Sequence, residues 1–188
     1  MKPRKLAKAN FIFIYLDVKH LIDKIDFPKI IWYTISESEG ERMTRLQAIR
    51  AFTSCVLGEK VIIARDKFIG SNFGMGIMTE NPRLKLPDSL DYPPDEYDKA
   101  FRKNFVDRCP LARGFSSITL TLLHECGHWA TRSIIDVIEY EKWNVRAKSQ
   151  EEYMNIPWEH LATEWAICWL HSPAHRKAAK AFERAYFG

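Results

Sequence analysis

The stretch LLHECGHWATR, residues 122–132, places two of the chain's six histidines four residues apart, with a glutamate directly after the first. Residues four apart lie on the same face of an α-helix, so His124 and His128 can direct imidazole nitrogens to one point. Glu125 is rotated by about 100° from His124, which leaves it close to that point without sharing it. The pattern HExxH on a helix is typical of a hydrolytic zinc site.

Zinc chemistry gives a reason for this spacing. Zinc held by neutral imidazoles lowers the pKa of its bound water toward about 7, and a carboxylate beside that water can pass its proton to a leaving amine. We therefore predict that His124 and His128 bind Zn²⁺ and that Glu125 is the general base. A chance occurrence of the motif is the alternative, but its charged groups would be costly to bury without partners in the apolar run LTLLHECGHW.

The helix that carries the motif is predicted over residues 116–140, with Ser116 or Ser117 as its N-cap. Its buried positions are expected to include Leu120, Leu123, Ile134 and Ile138. Gly127 lies inside the motif although glycine costs about 1 kcal/mol relative to alanine in a helix. Its presence predicts that another segment of backbone passes close by.

A catalytic zinc site normally has three protein ligands and one open position, so the two histidines need a partner. The metzincin extension HExxHxxGxxH is absent, because residues 129–134 read WATRSI. The remaining candidates lie in WEHLATEWA, residues 158–166: Glu159, His160 and Glu164.

The helical faces of this second segment favour Glu159. It shares a face with Thr163, Ala166 and Leu170, and the adjacent Ala162 is small enough to allow close approach to the motif helix. The alternatives, His160 and Glu164, lie on a different, polar face together with Cys168 and His171.

HECGH, followed about thirty residues later by EHLATEWAICWL (159–170), resembles the gluzincin arrangement of ImmA/IrrE-type metallopeptidases. In that family a Glu-x-x-Ala-Asn/Asp-x-Phe-Ala helix supplies the third ligand. TLLHECGHWATR (121–132) is also similar to the HExxHW-T run of ArdC-type antirestriction proteins of plasmids and phages. The likeness covers residues 115–173, and the first hundred residues match neither pattern.

The resemblance implies a zincin-like peptidase domain in which His124, His128 and Glu159 bind zinc and Glu125 is the base. Such domains are often carried by mobile elements or used in regulation, and some cleave one partner or act by binding alone. One residue departs from the family pattern, since Thr163 stands where an Asn or Asp supports the ligands from behind.

Length and composition indicate one globular domain over residues 1–188, with 46% apolar residues and a net charge of +4. The charge is weaker than the dense basic face of most nucleic-acid binders. The four cysteines form no CxxC pair, which indicates a reduced, cytoplasmic setting. The apolar run near the N-terminus is too short for a signal peptide or a membrane span.

The remaining segments predict an α+β fold: a small, mostly antiparallel sheet packed on the helices that carry HExxH and Glu159. Strands are expected over 61–69 and 75–79, and an irregular excursion over 81–114 with a helical piece near 97–106. Further helices are predicted over 18–25 and 41–56, from Pro157, and from Ser172–Pro173.

We expect a protein or peptide of the cell interior as substrate, and no membrane partner. Candidates for stabilising the oxyanion are His20, Tyr140, Tyr153 and His160. A non-hydrolytic antirestriction or regulatory protein is the alternative function. Nucleic-acid binding through the basic C-terminal helix AHRKAAKAFERAYF (174–187) is a third and weaker possibility.

Overall fold

The described part of the chain is mostly helical, with a small sheet. The computed structural model describes residues 43–65, 74–76, 79–87, 96–134, 142 and 146–188. The helix predicted over 18–25 lies outside these residues. None of the helices in the described ranges has both the length and the apolar character needed to cross a bilayer.

The described residues form six α-helices, three strands and two short 3-10 helices. The helices are α1 (Arg45–Leu57), α2 (Glu96–Arg108), α3 (Ser117–Thr131), α4 (Gln150–Met154), α5 (Pro157–His171) and α6 (Pro173–Phe187). The strands are β1 (Ile62–Arg65), β2 (Gly74–Gly76) and β3 (Arg83–Leu86), and short 3-10 helices cover Pro110–Gly114 and Arg132–Ile134.

The sheet is mixed, so the prediction of a mostly antiparallel sheet is wrong. The strand order is β1-β3-β2, with β3 parallel to β1 and antiparallel to β2. β3 lies inside the segment that we expected to be irregular because of its prolines. Its signal is the alternation RLKL, in which Leu84 and Leu86 are buried while Arg83 is exposed. Pro82 and Pro87 flank the strand instead of interrupting it.

Local sequence accounts for the ends of the helices. Thr44 and Gln47 form a reciprocal capping box at the start of α1, and Gly58 ends that helix with a φ of 69°. Ser116 is the N-cap of α3, as one of the two predicted alternatives. Pro157 and Pro173 occupy the first turns of α5 and α6.

Four predicted helices are confirmed, and their described ends lie within about one turn of the expected residues. They are the helices over 41–56 and 97–106, the helix from Pro157 and the helix from Ser172. The motif helix ends earlier than expected, at Thr131. Arg132–Ile134 then forms a 3-10 turn, which shifts the helical phase and leaves Ile134 49% exposed. The expected burial of Ile134 is therefore wrong, while Ile138 lies outside the described residues.

The described elements share a hydrophobic core in which aromatic rings from three helices meet. The Phe52 ring of α1 stacks on Phe182 of α6 at 4.5 Å and meets Trp169 of α5 edge to face at 6.1 Å. Trp129 and Trp165 are buried as well. This packing holds α1, α3, α5 and α6 together and fixes the positions of the two helices that carry the candidate ligands.

Candidate metal centre

The site is built where α3 crosses α5, which pack against each other more extensively than any other described pair of elements. A β-carbon added to Gly127 would lie 2.9 Å from both the Cα and the carbonyl carbon of Ala162, and nearer still to its oxygen. No side chain fits in that space. The predicted close approach of a second backbone to Gly127 is confirmed, and that backbone belongs to the helix that carries Glu159.

Three side chains converge beside this crossing. Glu159 Oε2 lies 3.0 Å from Nε2 of His124 and 3.2 Å from Nε2 of His128. All three residues are buried, and Glu159 has no exposed surface. One ligand atom from each residue lies within 4.8 Å of the others, and the described ranges contain no other group of three such residues.

The two alternative ligands face elsewhere. Glu164 forms an ion pair with Arg108 of α2. The Nε2 atom of His160 lies 3.5 Å from the same guanidinium and 3.9 Å from the Glu164 carboxylate. Both side chains are partly exposed. Of the three candidates, only Glu159 is brought to the histidines.

The donor set fits a zinc ion. Zinc in proteins takes imidazole nitrogens and carboxylate oxygens at about 2.0–2.2 Å in tetrahedral geometry, which separates neighbouring ligand atoms by about 3.3 Å. The separations of 3.0 and 3.2 Å between the imidazoles and Oε2 are close to this value. A fully buried carboxylate that faces two imidazoles also needs a compensating positive charge, which a bound cation or a proton on an imidazole supplies.

The protein itself favours the charged carboxylate. Burial alone would raise the pKa of Glu159, but His128 and His124 outweigh it and hold that pKa well below its ordinary range. Burial alone would lower the pKa of His128, and Glu159 and Glu125 reverse that effect and raise it. The Glu159 carboxylate is thus paired with an imidazole that favours its protonated form, and a bound cation would replace that proton.

Thr163 fixes the orientation of His124. The Thr163 hydroxyl donates to the carbonyl of Glu159 at 2.9 Å, and its oxygen lies 3.0 Å from Nδ1 of His124. Because the hydroxyl proton is already used, the Thr163 oxygen accepts from Nδ1–H, and in this tautomer the Nε2 lone pair is available to an ion that Glu159 also binds. Thr163 thus supports a candidate ligand from behind.

An apolar wall from α2 covers the other side of His124. The rings of Phe101 and Phe105 meet the imidazole edge to face, at 5.2 and 6.5 Å. Both phenylalanines are buried. The wall excludes water from this side of the site and restricts rotation of the imidazole.

Glu125 lies on α3, the helix that carries both histidines, and its side chain faces strand β2. Its side chain is buried, and burial raises its pKa while the charges of His128 and His124 oppose that rise. The backbone N–H of Met75 in β2 donates to its carboxylate. Glu125 is thus a carboxylate of increased basicity beside the three converging groups, where it can accept or return a proton.

Cys126 lies between the motif residues but takes no part in the site. Its thiol is buried, and burial followed by the nearby Glu125 charge raises its pKa well above the ordinary value. A protonated thiol is a poor metal ligand and a poor nucleophile.

Two of the oxyanion candidates lie within the described residues. Tyr153 donates its hydroxyl to Oε1 of Glu159 at 2.8 Å, and His160 lies beside Arg108. His20 and Tyr140 fall outside the described ranges. The bond between Tyr153 and Glu159 was not predicted, because no helical periodicity connects the two residues across the break at Asn155–Ile156.

A further support missed by sequence reasoning comes from α6. The Glu183 carboxylate accepts from the backbone N–H of Ser116 and, at 2.9 Å, from the hydroxyl of Thr119. Lys180 pairs with the second Glu183 oxygen at 2.7 Å. The start of the motif helix is therefore held by a residue 67 positions later in the chain.

Basic residues of α6 also make internal contacts. His175 is buried and stacks on Trp169 with ring centroids 4.5 Å apart. Arg176 donates to the carbonyls of Leu170 and His171 at the end of α5. These contacts give the two side chains a role in the junction between α5 and α6.

The geometry around Glu159 can therefore bind a divalent cation and move a proton beside it. Two imidazoles and one carboxylate face a common point. A second carboxylate, that of Glu125, has a raised pKa and directly follows His124 on α3. Comparisons of the chain with protein-family models, with curated proteins and with solved structures find no match.

Proposed function

We propose that this protein is a zinc-dependent metallopeptidase with a zincin-like fold, acting on a protein of the cell interior. The observation that carries the proposal is the convergence of His124, His128 and Glu159 from two helices, with Glu125 beside them. Three protein ligands with an adjacent carboxylate are the requirement of a hydrolytic zinc site, whereas a structural site usually has four protein ligands.

Each residue has a distinct task in this proposal. His124, held by Thr163, and His128 and Glu159 would bind zinc, which supplies Lewis acidity toward a water molecule and the scissile carbonyl when bound. Glu125 accepts a proton at its carboxylate and returns it to the leaving amine. Its raised pKa serves this task, since general bases work best when their pKa lies near the operating pH.

Strand β2 supports a peptide as the substrate class. It lies at one end of the described sheet, and the N–H of Met75 reaches Glu125. An extended peptide that adds to this edge by main-chain pairing would run past the carboxylate.

Metal analysis of variants tests the ligand set. Zinc bound per chain is measured after exchange against a weak chelator, for the wild type, Glu159→Gln, Glu164→Gln and His128→Ala. Glu159→Gln and Glu164→Gln form a matched pair on one helix. We expect stoichiometric zinc in the wild type and Glu164→Gln, and loss of zinc in the other two. A wild-type chain that takes up no zinc would refute the proposal.

Hydrolysis is tested with Glu125→Gln, which keeps the shape of the side chain and removes its basicity. The zinc-loaded wild type is expected to cleave members of a random peptide library, and the zinc-loaded variant to cleave them at least 100-fold more slowly, the effect of losing a general base. Mass spectrometry of the products gives both rates. Equal cleavage by the two proteins would exclude Glu125 as the base.

A non-hydrolytic function is the second candidate. It is favoured by the position of the ligands, because an ion between them would fasten α3 to α5 at their closest approach. In that case Glu125→Ala would keep zinc and the full biological effect of the protein. Loss of that effect in a variant that still binds zinc would exclude the binding function.

A further inference from the structure

The two carboxylate oxygens of Glu159 have different partners. Oε2 faces both imidazoles, at 3.0 and 3.2 Å. Oε1 accepts a hydrogen bond from the Tyr153 hydroxyl at 2.8 Å. The carboxylate plane is therefore held at both ends, with one oxygen directed into the cluster and the other directed toward α4.

This division of the carboxylate determines how it can bind an ion. A carboxylate can bind a cation through one oxygen or through both, and the second mode fills an additional coordination position. We infer that Tyr153 is a positioning residue that holds Glu159 to binding through Oε2 alone. The inference rests on the zinc site of the proposed function. Its consequence is that a position on the ion stays open for water and substrate.

The short helix α4, which carries Tyr153, is held firmly enough to position the phenol. Ser149 Oγ accepts from the N–H of Glu152 at 3.1 Å, and the Glu152 carboxylate accepts from the N–H of Lys148 at 2.7 Å. On the other side of Tyr153, Met154 and Ile156 are buried in the protein. Hydrogen bonds among residues 148–152 thus hold the backbone before Tyr153, and the burial of Met154 and Ile156 holds the backbone after it. Together they fix the position from which the Tyr153 hydroxyl reaches Glu159.

The loss of the hydroxyl alone tests the inference. Tyr153→Phe keeps the ring and removes the donor, and Tyr186→Phe in α6 is the matched control, a buried tyrosine among Phe182 and Phe187. All proteins are loaded with Co²⁺, whose visible absorption weakens as its coordination number rises. We expect weaker absorption for Tyr153→Phe only, together with a 10- to 100-fold weaker zinc affinity, about the usual effect of losing a group behind a ligand.

The outcomes separate this inference from the proposed function. A Tyr153→Phe protein with the wild-type cobalt spectrum would overturn the inference even if its stability or zinc affinity had changed. A wild-type chain that binds neither cobalt nor zinc would overturn the proposed function, and the inference with it. Circular dichroism spectra of both variants that match the wild-type spectrum show that the comparison concerns folded proteins.

Discussion

Gly127 and Ala162 touch through their backbones at the crossing of α3 and α5, and no β-carbon fits between them. This contact lies one residue from His128 on α3 and three residues from Glu159 on α5. The spacing between the candidate ligands is therefore set by two small residues. A side chain added at Gly127 would therefore push α3 away from the helix that carries Glu159.

Gly127→Ala is expected to separate the helices and to impair the site. The added methyl group would meet Ala162 backbone, which cannot rotate away, so we expect the free energy of unfolding to fall by about 1–3 kcal/mol. Zinc affinity should fall at least tenfold. Chemical denaturation and zinc titration give the two values. Gly114→Ala is the control, because a β-carbon there meets no atom within 4 Å, and wild-type values for Gly127→Ala would contradict the close contact.

Thr163→Val is expected to weaken zinc binding by about 10- to 100-fold, because His124 loses the acceptor that fixes its Nδ1–H. Thr163→Ser keeps the hydroxyl and should bind zinc as the wild type does. Thr53→Val is a matched control, since the Thr53 hydroxyl donates to the carbonyl four residues earlier but contacts no histidine. Equal zinc affinities for Thr163→Val and Thr53→Val would show that Thr163 does not support His124.

Glu183→Gln is expected to lower the free energy of unfolding by about 1–2 kcal/mol near neutral pH, since hydrogen bonds to a charged group are lost. Burial would raise the pKa of Glu183, but the bonds from Lys180, Ser116 and Thr119 outweigh it and lower that pKa. The contribution is therefore complete above the ordinary value of 4.5 and is lost as the pH falls through the lower folded-state pKa. Urea denaturation at a series of pH values should show the two proteins converging in acid. A constant difference would rule out the charge as its source.

Alkylation of the thiols should follow burial. Cys168 is partly exposed, whereas Cys55, Cys109 and Cys126 are buried in the folded protein. Burial raises the pKa of Cys55 to about 11, so this thiol carries almost no reactive thiolate at neutral pH. Peptide mapping after brief iodoacetamide treatment is expected to find Cys168 modified first. Early modification of Cys126 would mean that the motif helix is accessible from its core side.

The sequence predicts the parts of the site that depend on local periodicity. The i, i+4 spacing of His124 and His128 determines their common face, and the faces of the second helix distinguish Glu159 from Glu164. Gly127 indicates the crossing because glycine destabilises a helix, so its presence there predicts a neighbouring backbone that leaves no room for a side chain. Each of these inferences needs only the geometry of one helix and the chemistry of its side chains.

Contacts between distant segments could not be predicted in the same way. Glu183 reaches Ser116, and Met75 reaches Glu125, only because the packed core brings their elements together. β3 was missed for a different reason. Its alternating leucines are visible in the sequence, but the neighbouring prolines favour an irregular segment, although proline is tolerated at the ends of a strand.

The bond from Glu183 to Ser116 also has a consequence for the order of events during synthesis. A ribosome releases the histidine-bearing helix well before the acceptor for its N-cap amide, because Glu183 follows Ser116 by 67 positions. Until that glutamate emerges, the helix start relies on the hydroxyl of Ser116 alone. The nascent chain therefore completes this anchor only after both segments that carry the candidate ligands have left the exit tunnel.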